Sequence, residues 1–194
     1  MRITLIRHAQ TSGNLLKRYI GCCSDEPLCP EGRKTAQGSH IQPQVAEVYT
    51  SGMLRTNQTA EILFPQAKIV EVAQLQEMNF GAFEGKNYLE LADDQDYQAW
   101  LDTNCEASCP EGESKATFEA RCTQAFMHII ENVPQDTVEL YFVVHGGTIM
   151  SIVSNLATPV RDYFDCHVSF CQGYVLELLQ TPEDPKRPLK VFQA

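Results

Sequence analysis

The sequence predicts an α/β domain built around a largely parallel sheet, and three observations predict it. Short apolar runs that read as buried strands alternate with stretches of helical periodicity along the whole chain. Two of those runs, Ile3 to Ile6 and Val138 to Val144, lead into a histidine, then small residues, then the start of a helix. The length of 194 residues suits one well-packed domain and is short for two.

The first run opens into Arg7-His8-Ala9-Gln10-Thr11-Ser12-Gly13-Asn14, and Leu15 to Arg18 can begin a helix. Residues 1–24 hold Arg2, Arg7, Lys17 and Arg18 and no acid. A turn there, with N–H groups and small hydroxyls facing outward, suits a phosphate. Gly21 and Pro27 mark the following residues as loop, a wall of the same site. Pro30 starts a helix that runs to about Gly38. Val45 to Tyr49 reads as a strand ending at Thr50-Ser51-Gly52, followed by a helix from Met53 to about Phe64. Arg55 falls in the first turn of that helix, where a cation opposes the dipole. No acid lies between Glu47 and Glu61 to offset it, which makes Arg55 a second phosphate contact. The alternative is an exposed arginine at a cost of roughly a few tenths of a kcal/mol.

Lys68 to Val72 reads as a short strand, and Leu75 to Gly85 as an irregular, glycine-punctuated stretch whose carboxylates are Glu77 and Glu84. Asn87 to Leu101 has an acidic helical pattern with Tyr88, Leu91, Tyr97, Trp100 and Leu101 on its apolar side. Cys105 to Glu113 is loop, and a long helix follows from Ser114 with Phe118, Cys122, Ala125, Phe126 and Ile129 on one face. Val138 to Val144 is the strongest strand. It feeds His145-Gly146-Gly147-Thr148 and a helix through Val153, repeating the opening pattern. Gly173 to Leu179 is a strand, Pro182 to Pro188 a turn, and Leu189 to Phe192 a last strand or tail. In such sheets ligands bind beyond the carboxyl ends of the strands, and both histidines sit at such ends.

The formal net charge is −10, and residues 71–119 carry twelve acids against Lys86 and Lys115, enough to account for all of it. That balance argues against nucleic acid or an anionic membrane as a partner. No run approaches a membrane span, the N-terminus is too short in apolar residues for a signal peptide, and a cytoplasmic protein is expected. The eight cysteines do not follow paired zinc-knuckle spacings, so free thiols are expected. A metal site on Cys166, His167 and Cys171 is not expected.

Four separated pieces carry a resemblance: Arg7-His8 with Asn14, Thr50-Ser51 with Arg55, Glu77 with Phe80-Gly81 and Glu84-Gly85, and Val143-Val144-His145-Gly146. Together, in this order, they resemble the histidine phosphatase superfamily, the phosphoglycerate-mutase-like fold. Within it, Lys17 to Gly21, Asp25 to Cys29, Phe80 to Tyr88 and Pro110 to Ser114 are most similar to alpha-ribazole phosphatases. The resemblance implies a three-layer sandwich, its central sheet mostly parallel with helices on both faces. It implies one domain over 1–194 with an acidic helical insertion at about 77–113 covering the active site.

The activity implied is a phosphomonoesterase working through a phosphohistidine. His8 would be the nucleophile, with Arg7 and Arg55 clamping the phosphate and His145 a third donor. Asn14 and the Gly146 amide would add neutral hydrogen bonds. Glu77 would be the acid and base, its pKa raised by burial beside the phosphate, with Glu84 the rival carboxylate. The expected substrate is alpha-ribazole 5′-phosphate, a small phosphate monoester, with no cofactor and no metal. The alternatives are a phosphatase of a sugar phosphate or phosphoserine, a phosphoglycerate mutase, and a non-catalytic binder of phosphorylated ligands. Oligomeric state is not read. Two residues depart from the family pattern: Ala9 stands where glycine is usual, and Ile20 where many members carry a glutamine near the phosphate.

Overall fold

The computed structural model describes residues 1–39, 44–180 and 183–193. Pro182, the start of the expected turn, lies outside them. Seven strands form one sheet: β1 (Arg2–Arg7), β2 (Glu47–Thr50), β3 (Lys68–Glu71), β4 (Glu139–Val144), β5 (Ala157–Thr158), β6 (Gly173–Leu178) and β7 (Leu189–Gln193). Their spatial order is β3-β2-β4-β1-β6-β7-β5. The neighbours β3, β2, β4 and β1 run parallel, β6 runs against β1 and β7, and β5 runs with β7. The sheet is thus mostly parallel with one reversed strand.

Alternation along the strands divides the core between two faces. Ile3, Leu5, Leu140, Phe142 and Val144 pack on one face, beneath α5 (Lys115–Asn132) and α6 (Gly146–Leu156). Ile6, Val48 and Val143 pack on the other, against Ala60, Leu63 and Phe64. Those last residues belong to or end α3 (Leu54–Leu63), and α2 (Pro30–Gln37) packs on that helix in turn. Helix on sheet on helix gives the three layers expected. A second cluster of Met78, Phe83, Leu91, Tyr97, Trp100, Cys109, Phe118 and Cys122 forms where residues 78–109 meet the first turns of α5.

Local chemistry explains two departures from the expected elements. The first helix, α1, spans Ser12–Leu15 and ends where a helix was expected to begin. Thr11 and Asn14 close it reciprocally. Thr11 Oγ1 accepts from the Asn14 N–H, and Asn14 Oδ1 accepts from the Thr11 N–H. The acidic stretch is helical only over α4 (Gln95–Asp102). Asn87 Oδ1 takes the N–H groups of Leu89 and Glu90, and Asp94 Oδ1 takes those of Asp96 and Tyr97. Such bonds compete with a helix before Asp94 and start one after it. All eight cysteines are free. Among the described residues, no helix is long and apolar enough to cross a membrane.

Candidate functional site

Strand register brings the two histidines together. β1 and β4 are adjacent and parallel, with Arg7 paired to Val144. The next residue on each strand is His8 and His145, so their rings meet at 5.1 Å between centroids. Both are buried. His8 Nδ1 lies 2.7 Å from the Ala9 carbonyl oxygen, which can only accept. The proton is therefore on Nδ1, and a neutral His8 keeps an unprotonated Nε2.

α3 supplies the second half of the site. Arg55, in its first turn, is fully buried. Its Nη1 donates to the Ser24 carbonyl at 2.8 Å, its Nη2 to the Gly21 carbonyl at 2.9 Å, and its Nε to His145 Nδ1 at 3.2 Å. Nη2 also makes a longer contact to the Ile20 carbonyl at 3.5 Å, and one Nη1 hydrogen remains. Because His145 Nδ1 accepts, its proton is on Nε2, which donates to Ser51 Oγ at 2.7 Å. The chain continues through Thr56 Oγ1 to the Met53 carbonyl. His145 thus orients Arg55, and acting itself as a phosphate donor would require a proton on Nδ1. Thr59 ties the same helix to the His8 turn, accepting from the Ala9 N–H and donating to the Arg55 carbonyl.

The N-terminus of α3 has a partner outside its own sequence. Met53 caps α3 without a side-chain bond, and Asp25, from the loop opposite, accepts the Leu54 N–H at 2.7 Å. The acid missing from the helix's own sequence arrives from a distance. That loop is strapped in turn by Glu84, whose Oε1 accepts the Gly21 N–H. A Cβ on Gly21 would overlap the Met78 carbonyl, so only glycine fits there. Burial raises the Glu84 carboxyl. Its contacts are with this loop, and it is not among the residues lining the cleft.

Arg7 lies beside the N-terminus of α6, where a Cβ on Gly146 would stand 3.3 Å from its Nε. Glu77 reaches the same turn. Its Oε2 accepts the Gly147 N–H and its Oε1 the Met78 N–H, both at 3.0 Å. A Cβ on Gly147 would overlap Glu77 Oε1. The second glycine therefore makes room for this carboxylate rather than for a ligand. Gly147→Ala is expected to displace Glu77 and lower kcat by about a hundredfold or more, the scale of a lost general acid. Steady-state kinetics check it, and an unchanged kcat would contradict this role.

Asn14 has its Oδ1 held in the α1 cap, which leaves its amide NH2 as the group able to reach an anion. It is not among the residues lining the cleft. Ala9 is fully buried against Leu28, Ala36 and Cys171, and its φ is not in the left-handed region, so the added methyl is accommodated. Ile20 packs on Gly13 and presents no hydrogen-bond donor.

Electrostatics follow from burial. Desolvation, reinforced by the Arg55 and Arg7 charges, holds His8 well below its ordinary value, and burial with Arg55 does the same to His145. Burial also lowers Arg7 and Arg55, with the Glu77 charge acting against it. Burial pushes the Cys22, Cys109 and Cys122 thiols up to about 12, which leaves them poor nucleophiles. The two histidines carry a stability consequence. Below about pH 6.5 the unfolded chain binds protons that the folded chain refuses. Stability is therefore full above that pH and falls as pH drops, by up to about 1.4 kcal/mol per unit for each histidine. Glu84 acts in the opposite sense, since its folded form takes a proton first. Urea midpoints measured from about pH 7.5 down to about pH 5.5 should fall, and a flat series would contradict neutral burial.

The arrangement offers a neutral imidazole nitrogen, one buried and one half-buried guanidinium, a helix N-terminus and a carboxylate around one point. Those are the parts needed to bind and transfer a phosphoryl group. Beyond it lies a cleft of about 280 Å³ walled by Tyr19, Phe80, Trp100, Tyr163 and Phe164, with Lys115 and His167 as polar members. His167, Val168 and Phe170 also contact Arg7. Sequence reasoning assigned none of these three, because only the reversed strand β6 brings their segment beside β1.

A sequence profile of the histidine phosphatase superfamily (branch 1) matches residues 3–184. The adenosylcobalamin/alpha-ribazole phosphatase of Escherichia coli (strain K12) is 27% identical over 163 residues, covering 80% of this chain and 79% of that one. The 2,3-bisphosphoglycerate-dependent phosphoglycerate mutase of Cytophaga hutchinsonii is 27% identical over 164 residues, covering 79% and 76%. The crystal structure of the alpha-ribazole phosphatase from Shigella flexneri matches with a TM-score of 0.81 at 24% identity, over 93% of this chain and 92% of that one. At that identity the likeness concerns the fold.

Proposed function

The chain belongs to branch 1 of the histidine phosphatase superfamily, and from that premise we propose that it is a metal-independent phosphomonoesterase acting through a phosphohistidine on His8. The observation that carries the chemistry is the unprotonated His8 Nε2, fixed by the Nδ1 bond to Ala9. Nε2 attacks phosphorus, the P–N bond forms, and the P–O ester bond breaks. Glu77 protonates the departing alkoxide. Water then attacks the phosphohistidine, Glu77 takes its proton, and the P–N bond breaks to release inorganic phosphate and neutral His8. Arg7 and Arg55 stabilise the equatorial oxygens at both steps. Asn14 and the Gly146 N–H add neutral donors. His145 holds Arg55 in place through Nδ1, and acting as a phosphate donor itself would break that bond.

The preferred substrate is alpha-ribazole 5′-phosphate. The aromatic walls of the cleft favour an ester with a flat, uncharged ring system beyond its phosphate, and benzimidazole is such a ring. Residues 77–113 act as the cover of this site, contributing Glu77, Phe80, Trp100 and Cys105 to its lining. Ile20, lacking a donor, fits a narrower range of polar substrates. The name of the Escherichia coli relative is consistent with this substrate.

The test is phosphate release from alpha-ribazole 5′-phosphate beside 3-phosphoglycerate, phosphoserine and sugar phosphates, with EDTA present. A kcat/KM for the ribazole ester well above the others supports the reading. Equal turnover of many esters overturns the substrate and keeps the chemistry. Phosphate exchange between hydroxyls that needs a bisphosphorylated primer would make it a mutase.

A further inference from the structure

Arg7 emerges from β1 into a cradle made by one short segment, residues 167–170. Its Nη1 donates to the Val168 carbonyl at 2.8 Å and to His167 Nε2 at 3.2 Å. The Phe170 ring lies 3.9 Å from the guanidinium carbon. An arginine Nη carries two hydrogens, so both Nη1 hydrogens are engaged. The edge that remains is Nε–H beside Nη2–H. Nε is buried and has no protein partner. These two N–H bonds run side by side, the geometry that meets two oxygens of one phosphate. His167 lines the cleft together with Arg7, Glu77 and Gly146, so this cradle borders the reacting centre.

We propose that His167 is a positioning residue for Arg7: its Nε2 accepts one Nη1 hydrogen, which turns the Nε/Nη2 edge of the guanidinium toward the phosphate. The proposal rests on the phosphatase reading above. It requires an unprotonated Nε2, since a donor there would face another donor. The Val168 carbonyl alone fixes one hydrogen of Nη1 and leaves the plane free to turn about that bond. With His167 a second point is fixed, and a planar group held at two points on one nitrogen and stacked on a ring has a set orientation. Glu77 and Arg55 are each held by backbone groups of their own, so their placement does not depend on His167.

The test compares His167→Ala with His167→Gln, whose Oε1 can accept at the position of Nε2. The side chain is exposed, so neither variant is expected to disturb folding. Inorganic phosphate is the probe, its binding measured by calorimetry and by competitive inhibition. His167→Ala should weaken phosphate binding about five- to tenfold, the scale of one hydrogen bond that organises a charged group. Its KM should rise and its kcat fall, because Arg7 contacts the phosphoryl oxygens before and during transfer. His167→Gln should recover phosphate binding to within about threefold of the wild type. Wild-type affinity in His167→Ala overturns the proposal, and so does a Gln variant no better than Ala. Absence of phosphate binding by the wild type overturns it as well. The phosphatase reading fails separately, through absence of His8-dependent phosphate release in a protein that still binds phosphate.

Discussion

His8→Ala is expected to lower kcat by about 10⁴-fold or more for every phosphate ester tested, the scale on which removal of a covalent nucleophile acts. The reason is geometric. His8 Nε2 is the nitrogen left unprotonated by the Ala9 bond, and burial with two arginines keeps the ring neutral at physiological pH. Of the neighbouring groups, His145 has both nitrogens engaged, Glu77 is held by two N–H groups, and the cysteine thiols nearby are protonated. No second nucleophile stands ready to take over. His8→Gln is the control for folding, because a polar chain of similar size fills most of the space. Initial rates with the ester substrate read the loss. Quenching the wild type during turnover in alkaline denaturant should trap a phosphoprotein that is labile to acid and stable to base, absent from both variants. A His8→Ala rate within tenfold of the wild type would remove His8 from the reaction path.

Where the sequence could be read, it was because one residue's chemistry had a local consequence. Strand-His-small-residue-helix occurs twice, and parallel strands with that ending place their histidines on one side of the sheet. The position of the reversed strand β6 beside β1 had no such signature, because periodicity identifies a strand and says nothing of its neighbour. His167, Val168 and Phe170 were therefore unassigned as partners of Arg7. Asp25 was missed as the cap of α3 for a similar reason, although a signal existed: Met53 offers no side-chain acceptor, so an acceptor from elsewhere was implied. Nothing beside Gly147 in the sequence says what its missing side chain makes room for, and only the position of Glu77 shows it. The acidic stretch carried its own correction in Asn87 and Asp94, two residues that bond backbone N–H groups and break a helix that apolar spacing alone would draw.

Arg55→Lys is expected to lose stability and activity together, although charge is conserved. Arg55 is fully buried and holds two carbonyls of the loop 19–25, at Gly21 and Ser24, in addition to His145 Nδ1. A guanidinium presents five donors in a plane, which lets it reach acceptors in three directions while keeping an Nη1 hydrogen for an anion. An ammonium presents three donors from one point and cannot span them. At least one buried acceptor is then left unpaired, at about 1–3 kcal/mol each, and the desolvated charge has fewer partners. Urea unfolding should show a loss of roughly 2–4 kcal/mol. On the fraction that remains folded, kcat should fall by about 10²–10³, as when one preorganised donor to a developing charge is removed. The loss of activity has two sources, since the loop released by Arg55 also carries Asp25, the cap of the same helix. Asp25→Asn separates them. It weakens the cap and leaves the guanidinium in place, so it should lower stability by about 1 kcal/mol and kcat much less than Arg55→Lys. Equal losses of kcat in the two variants would mean that Arg55 acts through the loop and that its guanidinium makes no direct contribution to phosphoryl transfer.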